Sequence, residues 1–307
     1  MISSDLATVA FQNECQALGL ACAKARMRPD ERGPEDYLTA FADYQGPKDF
    51  PAYFVRKWLS LRLSAIKRGM VVDQSVTPKF LERVTDGSCP VTLEKIEFNS
   101  KSPHNPSVDR LVNDVTYMAG NICVLSIRAN RAKADKSFEQ VAKLAESGQY
   151  AEGLEAVEWM RLASLMYGAW SRGVKKSDPY LLPLAAMPGP SMFSSTSQVV
   201  QLLLTRHCTS IQGQDALGYW LALTKEADGN TSQFEAFFSH LEAAIQAEPH
   251  AGNAWLHGDV FQEFVEWYRR CQSSVVPAVE TLLRRNQLRD DAGVTNLPWQ
   301  STERARR

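Results

Sequence analysis

The stretch SVDRLVNDVTYMAGNICVLSIRANRAKAD, residues 107 to 135, is rich in side chains that can act on metals and phosphates. Asp109 offers a carboxylate, and carboxylate oxygens suit hard divalent cations. Arg110 follows it directly, with a fork of donors that can clamp a phosphate oxygen. The same guanidinium stays protonated at any working pH, so Arg110 cannot take a proton from water. What these groups can do together depends on the elements that carry them.

Three short segments around these residues are typical of strands joined by Asn, Ser, Pro and Gly loops: CPVTLEKIEF, SVDRL and NICVLSI. The following residues, RANRAKADKSFEQVAKLAE, favour a helix. The segment from 89 to 143 is therefore expected to be a small α+β unit in which Asp109 ends a strand and Lys133 lies on the helix behind it.

Helical patterns dominate the rest of the chain, so the predicted class is α+β and mostly α. Helices are expected over 2–28 and 53–68, the second with a basic flank, and at TPKFLERV, where Thr77 is the N-cap and Pro78 the first helical residue. Beyond Gly148 nearly everything favours helix. The predicted organisation is an N-terminal helical segment (1–50), a central module (51–146) and an all-helical C-terminal domain (147–307).

Composition indicates a soluble cytoplasmic protein without a signal peptide or membrane span, since no apolar run approaches the roughly 20 residues that a bilayer requires. Of the 307 residues, those from 51 to 146 hold 15 Lys and Arg against 10 Asp and Glu, in a chain whose net charge is −1. A locally basic module suits a polyanion. The six cysteines show no paired C-x-x-C spacing, so they are expected to be reduced and no structural zinc is expected.

Residues 53–146 resemble an HNH-type endonuclease of the ββα-metal, or His-Me finger, group, in particular its phage and prophage members. The resemblance is carried, in order, by FVRKWLSLRLSAIKRG, SCPVTLEKI, PSVDRL, YMAGNICVLS and RANRAKADKSFEQV. It implies a ββα finger that hydrolyses DNA phosphodiester bonds with a divalent metal, Mg²⁺ or Mn²⁺, in a phage, prophage or anti-phage defence setting. Two departures are Val112, where a second acidic residue is usual, and Val115-Thr116, which replace a Lys-Gly pair.

The resemblance also implies roles for individual residues. Asp109 and Asn130 would be the metal ligands, and Asn121 would pin the loop between the strands through side-chain to backbone hydrogen bonds. The usual base histidine is replaced by Arg110, which leaves His104 as the nearest candidate base, although a loop histidine beside prolines is more simply a solvated bystander. Seven basic residues are candidates for contacting phosphates: Arg56, Lys57, Lys67, Arg68, Arg128, Arg131 and Lys133.

Each of these residues also has a structural interpretation. Asp109 can pair with Arg110 or Arg128 at a strand end, Asn130 and Lys133 can be ordinary helix-surface residues, and the basic residues of 53–68 can be a solvated face. Three hypotheses therefore stand: a metal-dependent endonuclease, a finger that binds nucleic acid without cutting it, and a helical interaction protein with a small α+β insert. In the endonuclease hypothesis, the C-terminal domain recognises substrate, a protein partner or a second copy of the chain. The enzymatic hypothesis requires the side-chain oxygens of Asp109 and Asn130 to lie within about 5 Å of each other and to be open to solvent.

Overall fold

The computed structural model describes residues 2–98, 102–171, 181–186, 192–193, 195–209, 213–227, 230–285, 289–290 and 293–295. Helices and short antiparallel strands make up its regular structure, which confirms the α+β, mostly α class. No helix among the described residues is both long enough and apolar enough to cross a bilayer.

The helices have the following bounds: α1 (Ile2–Lys24), α2 (Glu35–Asp43), α3 (Tyr53–Ile66), α4 (Pro78–Val84), α5 (Ile127–Lys133), α6 (Phe138–Glu146), α7 (Ala156–Ser171), α8 (Thr196–Thr209), α9 (Gly213–Ala227), α10 (Thr231–Ala247) and α11 (Gly258–Arg285). A 3-10 helix spans Ala251–Leu256. The strands are β1 (Pro106–Arg110), β2 (Ile122–Ser126), β3 (Met192–Phe193), β4 (Arg289–Asp290) and β5 (Gly293–Thr295), and β5 pairs with both β3 and β4.

The central finger consists of β1 and β2, paired antiparallel with Asp109 opposite Cys123, and of α5 directly after β2. Ser126 caps α5, because its hydroxyl accepts a hydrogen bond from the Ala129 amide at 3.2 Å. The N-cap predicted at Thr77 is also present, since its hydroxyl accepts from the Phe80 amide at 3.1 Å. The strand–strand–helix order thus agrees with the sequence prediction for 106–133.

The strand predicted at CPVTLEKIEF is wrong. Residues 89–94 instead form a tight loop, in which the Leu93 amide donates to the Cys89 carbonyl at 2.8 Å and Leu93 adopts a φ of 58°. Pro90 has no N–H to donate to a ladder. Only Ser88 and Lys95 pair, as an isolated bridge, so the segment packs as an irregular loop with Cys89 and Val91 buried.

Helix α3 lies between two hydrophobic cores. Leu61 and Ala65 pack into the core of the finger with α4 and β2, whereas Leu59, Leu63 and Ile66 complete the core formed by α1 and α2. The boundary predicted at residue 50 therefore runs through a core and not between two cores.

Helix α7 extends the finger in the same way on the other side. Its side chains Trp159, Leu162 and Met166 share a core with Leu125 and Phe138. A separate core is built by α8–α11 and the 3-10 helix, around the buried aromatic residues Trp220, Phe234, Trp255, Phe264 and Trp267. The boundary predicted at residue 146 consequently also lies inside a core, because α7 packs with the finger.

Candidate functional site

Asp109 is placed in the space between β1 and α5, as the sequence predicted, but its carboxylate is buried and ion-paired. Its Oδ2 lies 3.0 Å from Nζ of Lys133, and the exposed fractions of the two side chains are 13% and 0%. Lys133 also donates a hydrogen bond to Oδ1 of Asn113 at 3.0 Å. Burial raises the pKa of Asp109 above its ordinary value, while the Lys133 ammonium acts in the opposite direction.

Asn130, the second predicted metal ligand, contacts β1 at Ser107, two residues before Asp109. Its Nδ2 donates to Oγ of Ser107 at 2.5 Å. Ser107 and Asp109 are two residues apart on β1 and therefore lie on the same face of the strand, and Asn130 and Lys133 lie one turn apart on α5. Two side-chain contacts, Asn130 with Ser107 and Lys133 with Asp109, thus connect the strand to the helix. The Asp109 carboxylate and the amide nitrogen of Asn130 are therefore engaged in separate contacts.

This arrangement does not fit a divalent cation at Asp109. A buried ammonium at 3.0 Å already neutralises the carboxylate, and a metal would have to displace it and leave Lys133 as an uncompensated buried charge. Among the described residues, no group of three or more His, Cys, Asp or Glu side chains is placed to hold a metal ion. The predicted metal site has only two protein ligands, Asp109 and Asn130, and the contact of Asp109 with Lys133 is the observation that argues against a metal there.

Arg110 is held against the loop that follows β1. Its Nη1 donates to the Asn113 carbonyl at 2.5 Å and to Sδ of Met70 at 3.1 Å, and its guanidinium carbon lies 4.9 Å from the centroid of the Tyr117 ring. These contacts give Arg110 a structural role. The predicted clamp on a phosphate oxygen would require it to leave them.

His104 and Arg128 converge on one carboxylate, that of Glu94. Nδ1 of His104 lies 3.2 Å from Oε2 of Glu94, and Nη2 of Arg128 lies 3.3 Å from the same oxygen. Arg128 also pairs with the buried carboxylate of Glu158 and donates to the Gly153 carbonyl at 2.7 Å. This network joins α5 to α7, so the predicted phosphate contact of Arg128 competes with two carboxylates.

Asn121 makes the loop-anchoring hydrogen bonds that its position predicted. Its buried amide donates to the carbonyls of Val112, Val115 and Thr116 at 3.0–3.1 Å and accepts from the Val112 amide at 2.9 Å. One side chain thereby satisfies four backbone groups of the β1–β2 connection, which fixes the loop beside Asp109.

The predicted phosphate-contacting residues separate into two groups. Lys133 is buried and already paired, so a direct phosphate contact is wrong for it in this fold. Lys67 pairs with Asp30, and Lys57 donates to the Pro106 carbonyl at 2.6 Å, where burial lowers its pKa. The side chains of Arg56, Arg68 and Arg131 are exposed.

Ser107, Asn113 and Glu158 belong to the polar network around the finger and were not singled out from the sequence. Ser107 has a local signal, because it stands two residues before Asp109 on a predicted strand. Asn113 and Glu158 have none, since their partners Lys133 and Arg128 lie 20 and 30 residues away in the chain.

The His207-Cys208 pair in α8 is structural. Nδ1 of His207 accepts a hydrogen bond from the Trp220 indole at 2.7 Å, and burial lowers the pKa of His207 to about 4. Burial likewise raises the pKa of the Cys208 thiol to about 12. An unprotonated imidazole and a protonated thiol in separate surroundings do not form a nucleophile and its base.

Comparison with known proteins adds no family: no protein-family model, curated protein or solved structure matches the chain.

Proposed function

We propose that residues 53–146 form an HNH-like finger that binds nucleic acid through its phosphate backbone and does not hydrolyse it. The ion pair between Asp109 and Lys133 carries this proposal, because it retains the strand–strand–helix frame while occupying the carboxylate that a catalytic metal would need. Arg110, held on the Asn113 carbonyl, leaves no base at the position where HNH enzymes carry one. Metal-dependent cleavage, the enzymatic hypothesis, becomes an outcome of the test.

The proposed contact surface runs along α3. Arg56, Ser60, Ser64 and Arg68 follow one another at four-residue intervals, and all but the partly exposed Ser64 are exposed. At a rise of about 1.5 Å per residue the two arginines are about 18 Å apart, a span over which a backbone offers several phosphates. Arginine and serine are both common phosphate donors.

This surface is fixed to the finger at both ends. Lys57 bonds the Pro106 carbonyl at the start of β1, and Arg68 donates to the Tyr117 hydroxyl at 2.7 Å in the β1–β2 connection. A rigid helix with a basic edge can follow a duplex without reading bases, so the proposal predicts strong salt dependence and little sequence preference.

The test is fluorescence anisotropy of a short labelled DNA duplex, titrated with the full chain over a series of salt concentrations. Arg56→Ala combined with Arg68→Ala is expected to weaken binding and to lower the slope of log affinity against log salt by about 2. The matched control is Arg269→Ala combined with Arg285→Ala, which removes the same charge from exposed positions on α11 and is expected to bind as the wild type does.

A plasmid-nicking assay with Mg²⁺ or Mn²⁺ separates the hypotheses. The expected result is intact plasmid at protein concentrations that saturate binding. Nicking that disappears in Asp109→Ala and Asn130→Ala but persists in His104→Ala would establish the enzymatic hypothesis instead. No measurable DNA affinity at low salt would favour a helical interaction protein.

A further inference from the structure

One nitrogen atom, Nζ of Lys133, lies against both an amide and a carboxyl group inside the finger. It is 3.0 Å from Oδ1 of Asn113 and 3.0 Å from Oδ2 of Asp109. The Lys133 side chain is fully buried, and Asp109 is nearly so. The contact with Asp109 lacks the angle of a hydrogen bond, whereas the contact with Asn113 has it, so the amine is directed at the amide.

We propose that this triad forms an intramolecular isopeptide bond between Lys133 and Asn113, with Asp109 as the acid and base that moves the proton. The bond is a covalent cross-link between the β1–β2 connection and the last residue of α5, and its formation does not depend on nucleic-acid binding.

The reaction balances without any co-reactant. Lys133 first passes one proton to Asp109, and the unprotonated Nζ then attacks Cγ of Asn113, forming the Nζ–Cγ bond. Asp109 delivers its proton to Nδ2, the Cγ–Nδ2 bond breaks and ammonia leaves, and Asp109 takes the second proton that Nζ releases. The departing Nδ2 donates to the Lys136 carbonyl at 3.4 Å. No electron is transferred to or from an external group.

The surroundings favour each step. Cγ is one bond away from the Oδ1 that Nζ already contacts at 3.0 Å, so the two reacting groups are held beside each other. The ion pair between Lys133 and Asp109 becomes reactive when one proton passes from Nζ to the carboxylate; desolvation favours this transfer because it penalises both charges, and the resulting neutral amine is the nucleophilic form. The upward direction of the Asp109 pKa agrees with a carboxyl group that can hold the proton.

Intact-mass spectrometry of the denatured full chain tests the proposal. The wild type is expected to weigh less than its sequence mass by one ammonia. After trypsin, a branched peptide is expected in which residues 111–128 are joined to residues 132–136, because acylated Lys133 resists cleavage. This measurement needs no variant to fold.

Three variants locate the chemistry. Lys133→Arg keeps the positive charge but has no amine, so it is expected at full mass, as is Asn113→Ala; Asp109→Asn is expected to lose ammonia far more slowly. A succinimide at Asn113 would lose the same mass without Lys133 and would persist in Lys133→Arg. Wild type at full mass after prolonged incubation, or a deficit that persists in Lys133→Arg, overturns the proposal.

Discussion

Individual side chains, rather than a ladder of strand pairs, hold the connection between β1 and β2. Asn121 satisfies the backbone of residues 112–116, and Lys133 holds Asn113 from the helix side. Tyr117 closes the far end of the loop by accepting a hydrogen bond from Arg68. Loop shape at this site therefore depends on a few buried polar groups.

Replacing Asn121 with alanine is expected to lower the free energy of unfolding by about 2–4 kcal/mol, since several buried carbonyls and one amide lose their partner. Urea denaturation followed by circular dichroism measures the change. Asp114→Ala, at an exposed position of the same loop, is the control and is expected to change stability by less than about 0.5 kcal/mol. Equal effects of the two substitutions would contradict the role of Asn121.

The role of Asn121 was predictable because its partners are local in sequence. Its side-chain amide bonds residues that precede it by five to nine positions. The environment of Asp109 was not predictable in this way, because it depends on Lys133 being buried and not exposed. Helical periodicity alone does not decide whether such a residue faces a strand or water.

At the scale of elements, α3 and α7 are the helices that integrate the finger. Helix α3 was assigned to the central module and also packs into the core of α1 and α2, whereas α7 was assigned to the C-terminal domain and packs into the core of the finger. The start of α4 was predicted at Thr77-Pro78, because caps and proline act locally. The single helix expected from residue 128 to residue 146 is instead two helices, α5 and α6, separated at Ala134, which has a φ of 48°. The domain boundaries were not predicted, because composition does not report which two faces of an amphipathic helix are buried.

A fragment of residues 1–171 is therefore expected to unfold cooperatively, whereas a fragment of residues 1–146 is expected to remain largely unfolded. The shorter fragment loses Trp159, Leu162 and Met166 from the shared core, at roughly 1.5–3 kcal/mol for each large apolar side chain. That loss is comparable with the whole stability of a domain, about 5–15 kcal/mol.

Thermal unfolding monitored by far-ultraviolet circular dichroism, with limited proteolysis as a second measure, distinguishes the two fragments. Coincident melting curves for both would show that α7 is dispensable to the finger.

At the scale of the whole molecule, one buried guanidinium links the two large cores. Arg161 on α7 donates from Nη1 to the Val91 carbonyl at 3.3 Å and from Nη2 to Oδ1 of Asn253 at 2.9 Å. Val91 belongs to the core that contains α7, and Asn253 lies in the 3-10 helix of the C-terminal core. Asn253 in turn donates to Glu248 at 3.1 Å.

Arg161→Met is expected to keep the volume of the aliphatic part of the side chain but to leave the Val91 carbonyl and Oδ1 of Asn253 without their donor. The free energy of unfolding is expected to fall by about 1–3 kcal/mol for each of these groups. Because the lost bonds join the two cores, calorimetry is expected to resolve two transitions where the wild type shows one. The control is Arg269→Ala, which removes an exposed arginine from α11. A uniform downward shift with a single transition would mean that Arg161 stabilises only its own helix.

The double packing of α3 also restricts how this gene can exchange parts with others. A recombination event that transferred residues 51–146 alone would transfer α3 without the helices α1 and α2 of the donor. Leu59, Leu63 and Ile66 on α3 would then lack the side chains against which they pack. The recipient's own α1 and α2 would then need complementary volumes at Cys15, Leu18 and Cys22. Inheritance of the finger as a cassette consequently has to include the first two helices.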